Sequence, residues 1–290
     1  MSHFVELTYR GVGGLALYAR DYAGAGGAPR CPVICIHGLT RNSGDFEDVA
    51  PWIASQGSRR VLVVDVRGRG KSERDSDPAR YHPAVYAADT LKLLDEAGIA
   101  RAVFIGTSMG GIITMAIAAK RLRAIAAAVL NDVGPVISMV GLNRIKGYVG
   151  KGKPVVTWND AAEYIKAINE AAFPHNTMDD WHRWAQRTFR EVNGKIELNY
   201  DPQIAASIQS AKLRPTSFMA KFLFKRLARN RPTLLVRGAL SDLVGPEEAR
   251  YMREAAPALR YVEVPGVGHA PMLTEPESRA ALAKFLAEVP

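Results

Sequence analysis

The chain has 290 residues, and 48% of them are hydrophobic, enough for one large α/β domain or a core carrying an insertion and too many for a disordered chain. It contains no run of about 18 apolar residues, so no transmembrane helix is expected. Residues 1–10 carry Glu6 and Arg10 in place of an apolar stretch, so no signal peptide is expected and the location reads as cytoplasmic. The formal charge is +9, and residues 134–229 hold most of the excess, with 15 Lys/Arg against 8 Asp/Glu. No nucleic-acid-binding module accompanies that charge, which reads as a basic surface able to steer anionic substrates.

Along the chain, apolar residues 4–7 and 15–18 flank Gly11, Gly13 and Gly14, the pattern of a hairpin. Short apolar runs follow at 32–36, 61–65, 102–105, 125–130, 233–236 and 260–264. Helical stretches separate them at 43–55, 83–97, 111–121, 246–255 and 275–288. Strands without polar alternation, spaced by helices, predict a mostly parallel sheet covered on both faces. The rhythm breaks after Leu130. Residues 134–229 read as helical and irregular, with turns at 151–154 and at Asn193-Gly194, so an insertion between two core strands is expected. The core is then 1–133 and 230–290. Within the insertion, residues 212–231 hold seven Lys/Arg and no acid. Phe218, Met219, Phe222, Leu223 and Leu227 recur there at helical spacing, and Pro215 and Pro232 bracket them. This predicts a helix started by Pro215 and docked on the core through that stripe, with no stable membrane anchor.

Cys31 and Cys35 would be about 13 Å apart in an extended segment at ~3.3 Å per residue, too far for a disulfide. No Cys/His spacing suggests zinc, and neither a metal nor another cofactor is expected.

Gly106-Thr107-Ser108-Met109-Gly110 stands between an apolar strand and an Ala-rich helix. A serine on such a turn is a nucleophile elbow, with glycines two positions away so that nothing collides with the strained backbone. A nucleophile needs a base, and of six histidines His269 is best placed, in Gly266-Val267-Gly268-His269-Ala270-Pro271 after the last strand. His3 and His82 lie in exposed-looking segments, and His175 and His182 in the insertion. The base needs an orienting carboxylate. Asp242, at the end of the preceding strand, is the expected acid; Asp132, after the strand that follows the elbow, could also reach the histidine and is otherwise read as bonding the turn into the insertion. In His37-Gly38-Leu39-Thr40 the backbone is the functional part: the N–H groups of Leu39 and Met109 would face a developing oxyanion, with His37 bracing the loop. The Gly-rich turn 65–72 reads as a further brace and does not match a P-loop.

These motifs, in this order, resemble the α/β-hydrolase superfamily over essentially the whole chain. The resemblance implies an α/β-hydrolase fold with a helical cap at 134–229, a nucleophile at Ser108, an acid at Asp242, a base at His269, oxyanion donors at Leu39 and Met109, and no cofactor. Serine in the nucleophile position separates the chain from related epoxide hydrolases and haloalkane dehalogenases, which use aspartate. The reading is a serine hydrolase of a small carboxylic ester or lactone. The alternatives are a carbon–carbon bond hydrolase of a ring-cleavage diketone, with Arg187 or Arg190 facing the pocket, a perhydrolase or thioesterase, and a ligand receptor on the same fold. Trp158, Phe173, Trp181 and Trp184, with Phe189, are candidates to line an apolar acyl pocket. Trp181 and Trp184 share a helix face, so at most one of them should see substrate. The oligomeric state is not legible in the sequence.

Overall fold

The computed structural model describes residues 4–150, 155–210 and 216–290. The turn expected at 151–154, His3 and Pro215 lie outside the described residues.

β1 (Val5–Arg10) and β2 (Ala16–Tyr22) form the expected antiparallel hairpin. Then strands and helices alternate: β3 (Val33–Ile36), α1 (Val49–Ser55), β4 (Val61–Asp65), α2 (Pro83–Glu96), β5 (Ala102–Thr107), α3 (Met109–Arg121) and β6 (Ile125–Asn131). The segment after β6 carries α4 (Met139–Tyr148), α5 (Trp158–Asn169), α6 (Met178–Thr188), β7 (Phe189–Val192), β8 (Lys195–Leu198), α7 (Ile204–Ser210) and α8 (Phe218–Ala228). The core rhythm returns with β9 (Thr233–Gly238), α9 (Pro246–Ala255), β10 (Arg260–Val264) and α10 (Pro276–Glu288).

Eight strands make one sheet in the order β1-β2-β4-β3-β5-β6-β9-β10. β2 runs antiparallel to β4, and every pairing from β4 to β10 is parallel. Alternate residues feed opposite faces, as strand geometry requires. Ile34, Ile36 and Leu62 pack with α2, α3, α8 and α9, while Cys35, Val61 and Val63 pack with α1 and α10. Both cysteines are free thiols, and Cys35 is fully buried in β3. The expected α/β-hydrolase architecture is therefore present.

Between β6 and β9 the structure differs from the sequence reading in two places. First, β7 and β8 form an antiparallel pair where only helix and a turn were expected. Asn193 and Gly194 join them with φ of +52° and +74°. That left-handed pair matches the twist of a tight hairpin, which is why Asn-Gly is favoured there. Second, α8 docks through a different stripe. Phe224, Leu227 and Ala228 are buried and Leu223 is partly covered, whereas Phe218 is 86% exposed and Met219 and Phe222 point outward too. At 100° per residue the two sets lie on opposite sides of the helix. The helix is apolar nearly all round, so spacing alone does not say which side is inward. The Ser217 side chain caps its start, and Arg226 and Arg231 tie it down by donating to the carbonyls of Ala118 and Ile125. No helix among the described residues is long and apolar enough to cross a membrane.

Candidate active site

Every carboxyl-terminal strand end in the middle of the sheet delivers a piece of the site. β5 ends at Thr107, and Ser108 follows with φ +51° and ψ −112° before α3 begins at Met109. The fit around this turn is tight. A Cβ on Gly106 would stand 2.4 Å from the Gly110 carbonyl carbon, and one on Gly110 would stand 2.0 Å from the Ile36 carbonyl oxygen. Approaches that short force backbone to move, so both positions need glycine for the serine to stand where it does.

The Ser108 hydroxyl lies 2.9 Å from His269 Nε2, and His269 Nδ1 lies 2.8 Å from Asp132 Oδ2. Asp132 follows β6, the strand paired to β5, and has φ +54°. It is fully buried. Its Oδ1 accepts from the Gly238 N–H at 3.1 Å and its Oδ2 accepts from the Ser241 hydroxyl at 2.5 Å. Ser241 is itself aimed by the N–H groups of Leu243 and Val244, which donate to its oxygen.

The structure thus overturns the expectation that Asp242 meets the histidine. Asp242 turns to α4, where Arg144 holds it through Nε at 2.5 Å and Nη2 at 2.9 Å. Burial pushes the Asp242 carboxyl up, but the Arg144 hydrogen bonds and charge outweigh it and leave the group below its ordinary range. The physical reason for the exchange is a choice of partners. Among the described residues Asp132 has only neutral donors besides the imidazole, whereas Asp242 has a guanidinium within reach, a stronger and bidentate partner. Sequence position does not distinguish them, because both stand at the ends of adjacent strands, β6 and β9.

His37 is a brace, as expected. It is fully buried, and burial pushes its pKa from 6.5 down to about 3. The neutral ring donates from Nδ1 to the Gly38 carbonyl at 2.7 Å, and its Nε2 accepts the Val66 N–H at 3.0 Å. Arg69 of the Gly-rich turn donates from Nε to the Leu39 carbonyl at 2.9 Å. Asp65 accepts from the Ser43 and Lys71 N–H groups at 2.6 and 2.8 Å. Leu39 is therefore held from both sides. Because the unfolded chain protonates His37 near 6.5 and the folded chain only near 3, the unfolded state binds more protons between those values. The stability this gives is complete above 6.5 and is lost as pH falls. Urea unfolding should show the free energy about 2 kcal/mol lower at pH 5 than at pH 7. A free energy that stays level over that interval would contradict a neutral buried His37.

A cavity of about 70 Å³ opens beside Ser108 and His269, well above the ~10–15 Å³ a cavity needs to hold one water. Leu39, Ile145, Tyr148 and Trp184 are among its walls. Of the five aromatic candidates, Trp184 alone lines it among the described residues. Trp181 is 2% exposed and stacks on Trp184 at 5.6 Å between centroids, and Phe173 meets Trp184 edge-on at 5.0 Å. These rings, with partly covered Trp158, form a core cluster made by α5, α6 and β7. Neither Arg187 nor Arg190 is among the cavity walls. Arg187 is paired with Glu47 and Asp48. Sequence reasoning missed two polar groups here: Ser241, whose signal was only its place one residue before Asp242, and Arg41, two residues beyond Leu39. No group of three or more potential metal ligands occurs among the described residues.

Residues 32–276 match the family model described as alpha/beta hydrolase fold. The chain belongs to the α/β-hydrolase family. This hydrolase is 41% identical to an α/β hydrolase of known crystal structure from Novosphingobium aromaticivorans, with a TM-score of 0.90 over 99% of each chain. It is 33% identical to a 3-hydroxybutyrate-oligomer hydrolase of Cupriavidus necator, over 87% of each chain. It is 26% identical to an sn-1-specific diacylglycerol lipase of Mus musculus, over 88% of this chain and 80% of that one.

Proposed function

We propose that this α/β-hydrolase cleaves a small carboxylic ester or lactone through an acyl-enzyme on Ser108. The observation that carries the reading is the unbroken hydrogen-bonded line from Ser108 through His269 to Asp132. Ser108 Oγ attacks the carbonyl carbon as His269 Nε2 takes its proton, and the same nitrogen returns that proton to the departing alkoxide. Water then enters by the reverse sequence and releases the acid. Asp132 keeps the Nδ1 proton in place and stabilises the imidazolium. The N–H groups of Leu39 and Met109 serve the oxyanion; the Met109 N–H is one of the first-turn donors a helix leaves unpaired. Ser108, His269 and water account for every proton and bond, so the reaction calls for no cofactor. Residues 134–229 act as a cap on a core of 1–133 and 230–290. Cap residues Ile145, Tyr148 and Trp184 share the cavity wall with core residues Leu39 and Ser108, and α5 and α6 have a core cluster of their own. The 3-hydroxybutyrate-oligomer hydrolase named above supports an ester as the bond broken.

The test is a series of p-nitrophenyl esters together with labelling by a fluorophosphonate. Each methylene buried in an acyl pocket is worth about 0.8 kcal/mol, which is roughly fourfold in kcat/KM. With a cavity of about 70 Å³, kcat/KM should rise from acetyl to butanoyl and then stop or fall. A continued fourfold rise per methylene through octanoyl would show a larger acyl site than this one. A serine that resists the phosphonate would favour a ligand receptor over an enzyme.

A further inference from the structure

On the reading that Ser108 is the nucleophile, we infer that the ester substrate carries a carboxylate and that Arg41 is the residue that receives it. Arg41 lines the cavity together with Ser108, His269 and Trp184. Its guanidinium lies on the face of the Trp184 ring, 4.2 Å from the centroid. Its Nε donates to both oxygens of Asp45 at 3.0 and 2.9 Å, and its Nη2 has only the Met272 sulfur at 3.8 Å. Nη1 has no hydrogen-bond partner among the described residues. Stacking occupies the flat face of a guanidinium and leaves its in-plane N–H donors directed outward. The planar fork is therefore fixed by a ring on one face and a carboxylate at one corner, and its far edge has no partner but the Met272 sulfur among the described residues, in a cavity that Ser108 also lines.

The Trp184 Nε1–H is buried and has no hydrogen-bond partner among the described residues. A buried donor without a partner costs free energy, but this N–H is closed off from solvent, so Arg41 alone supports the inference. Asp45 does not disqualify Arg41 from taking a second carboxylate. The same molecule shows the arrangement at Arg67, which binds Asp89 through Nε and Nη2 at 2.7 Å each and Asp75 through Nη1. A small acidic group suits the size of the cavity, and the net charge of +9 favours the approach of an anion. The substrate class is thus a short ester bearing a carboxylate a few bonds from the scissile carbonyl.

The test compares 3-butanoyloxybutanoate with its neutral N,N-dimethylamide, which share the scissile ester. The unaltered enzyme should prefer the acid at least tenfold in kcat/KM. Replacing Arg41 alone would leave Asp45 to repel the substrate, so the informative variant is Arg41→Gln with Asp45→Asn, which keeps the local charge constant. The acid-over-neutral ratio should fall about tenfold in it, and Arg41→Lys, a cation without the fork, should recover only part. A ratio within threefold of the unaltered enzyme in the double variant would overturn the inference. A second measurement needs no variant. The unreactive amide 3-butanamidobutanoate should slow fluorophosphonate labelling of the unaltered enzyme at concentrations where its neutral dimethylamide does not. Equal protection by the two would likewise overturn it. If the unaltered enzyme is labelled but shows no preference for the acid, the carboxylate site is wrong and the nucleophile stands. If it is neither labelled nor active on either ester, the nucleophile itself is wrong.

Discussion

Replacing Ser108 by alanine should abolish phosphonate labelling and lower kcat by about 10⁶, the scale set by loss of the nucleophile in a triad. The fold should survive. Alanine has the same Cβ as serine, so the strain of φ +51° is unchanged, and the side chain gives up only its hydrogen bond to His269. The melting temperature should stay within about 3 °C, as expected for a change of well under 1 kcal/mol in a chain of this size. The measurement is ester hydrolysis by protein purified away from the host's own esterases. Activity above a few per cent of the unaltered enzyme would remove Ser108 from the mechanism.

Replacing Asp132 by asparagine should lower kcat by about 10⁴, while Asp242→Asn should cost less than tenfold. The asparagine amide would turn its NH₂ toward His269 Nδ1 and leave the ring proton on Nε2, so that the ring could no longer accept the serine proton; in a well-studied triad that change costs about 10⁴. Asparagine tolerates the left-handed backbone that Asp132 adopts at φ +54°, so the substitution changes charge without changing shape. Asp242→Asn instead weakens the half-exposed pair with Arg144, worth about 1 kcal/mol or less after solvent screening. Equal losses in the two variants, or a reversed order, would mean that Asp242 reaches the histidine in the working enzyme.

Much of this is legible in the chain because it rests on local rules. The elbow is readable because glycine two residues either side of a serine has few other uses between an apolar strand and a helix. His269 is readable because short glycine loops at strand ends are where a side chain can stand above a sheet. Asp132 is a candidate in the sequence but not the favoured one, for a physical reason. Which of two neighbouring strand-end carboxylates turns toward the imidazole depends on Arg144, 98 residues before Asp242 in sequence, and on the hydroxyl of Ser241. The aromatics of the insertion are hard to sort for a similar reason. Helical spacing shows that Trp181 and Trp184 share a face, but α5 covers that face and leaves only Trp184 at the cavity. On α8, an apolar surface nearly all round makes the inward side unreadable. The β7–β8 hairpin has its Asn-Gly signal, and the strands beside it are simply too short to announce themselves.

The placement of Asp132 has a consequence for how this protein can vary. On the proposed mechanism, nucleophile, acid and both backbone donors all come from residues 39 to 132, and the second half of the chain supplies the imidazole of His269 and the Gly238 and Ser241 donors that hold Asp132. A break anywhere between β6 and β9 would therefore leave Ser108 and Asp132 on one fragment and His269 with the donors that hold Asp132 on the other. Residue 242, freed from holding the histidine, anchors α4 instead, and it can be exchanged together with Arg144 without touching the proton path. Grafting a foreign helical segment onto this sheet would then need a new clasp at position 242 and a new cavity wall in place of Trp184, but would leave the proposed proton path in place.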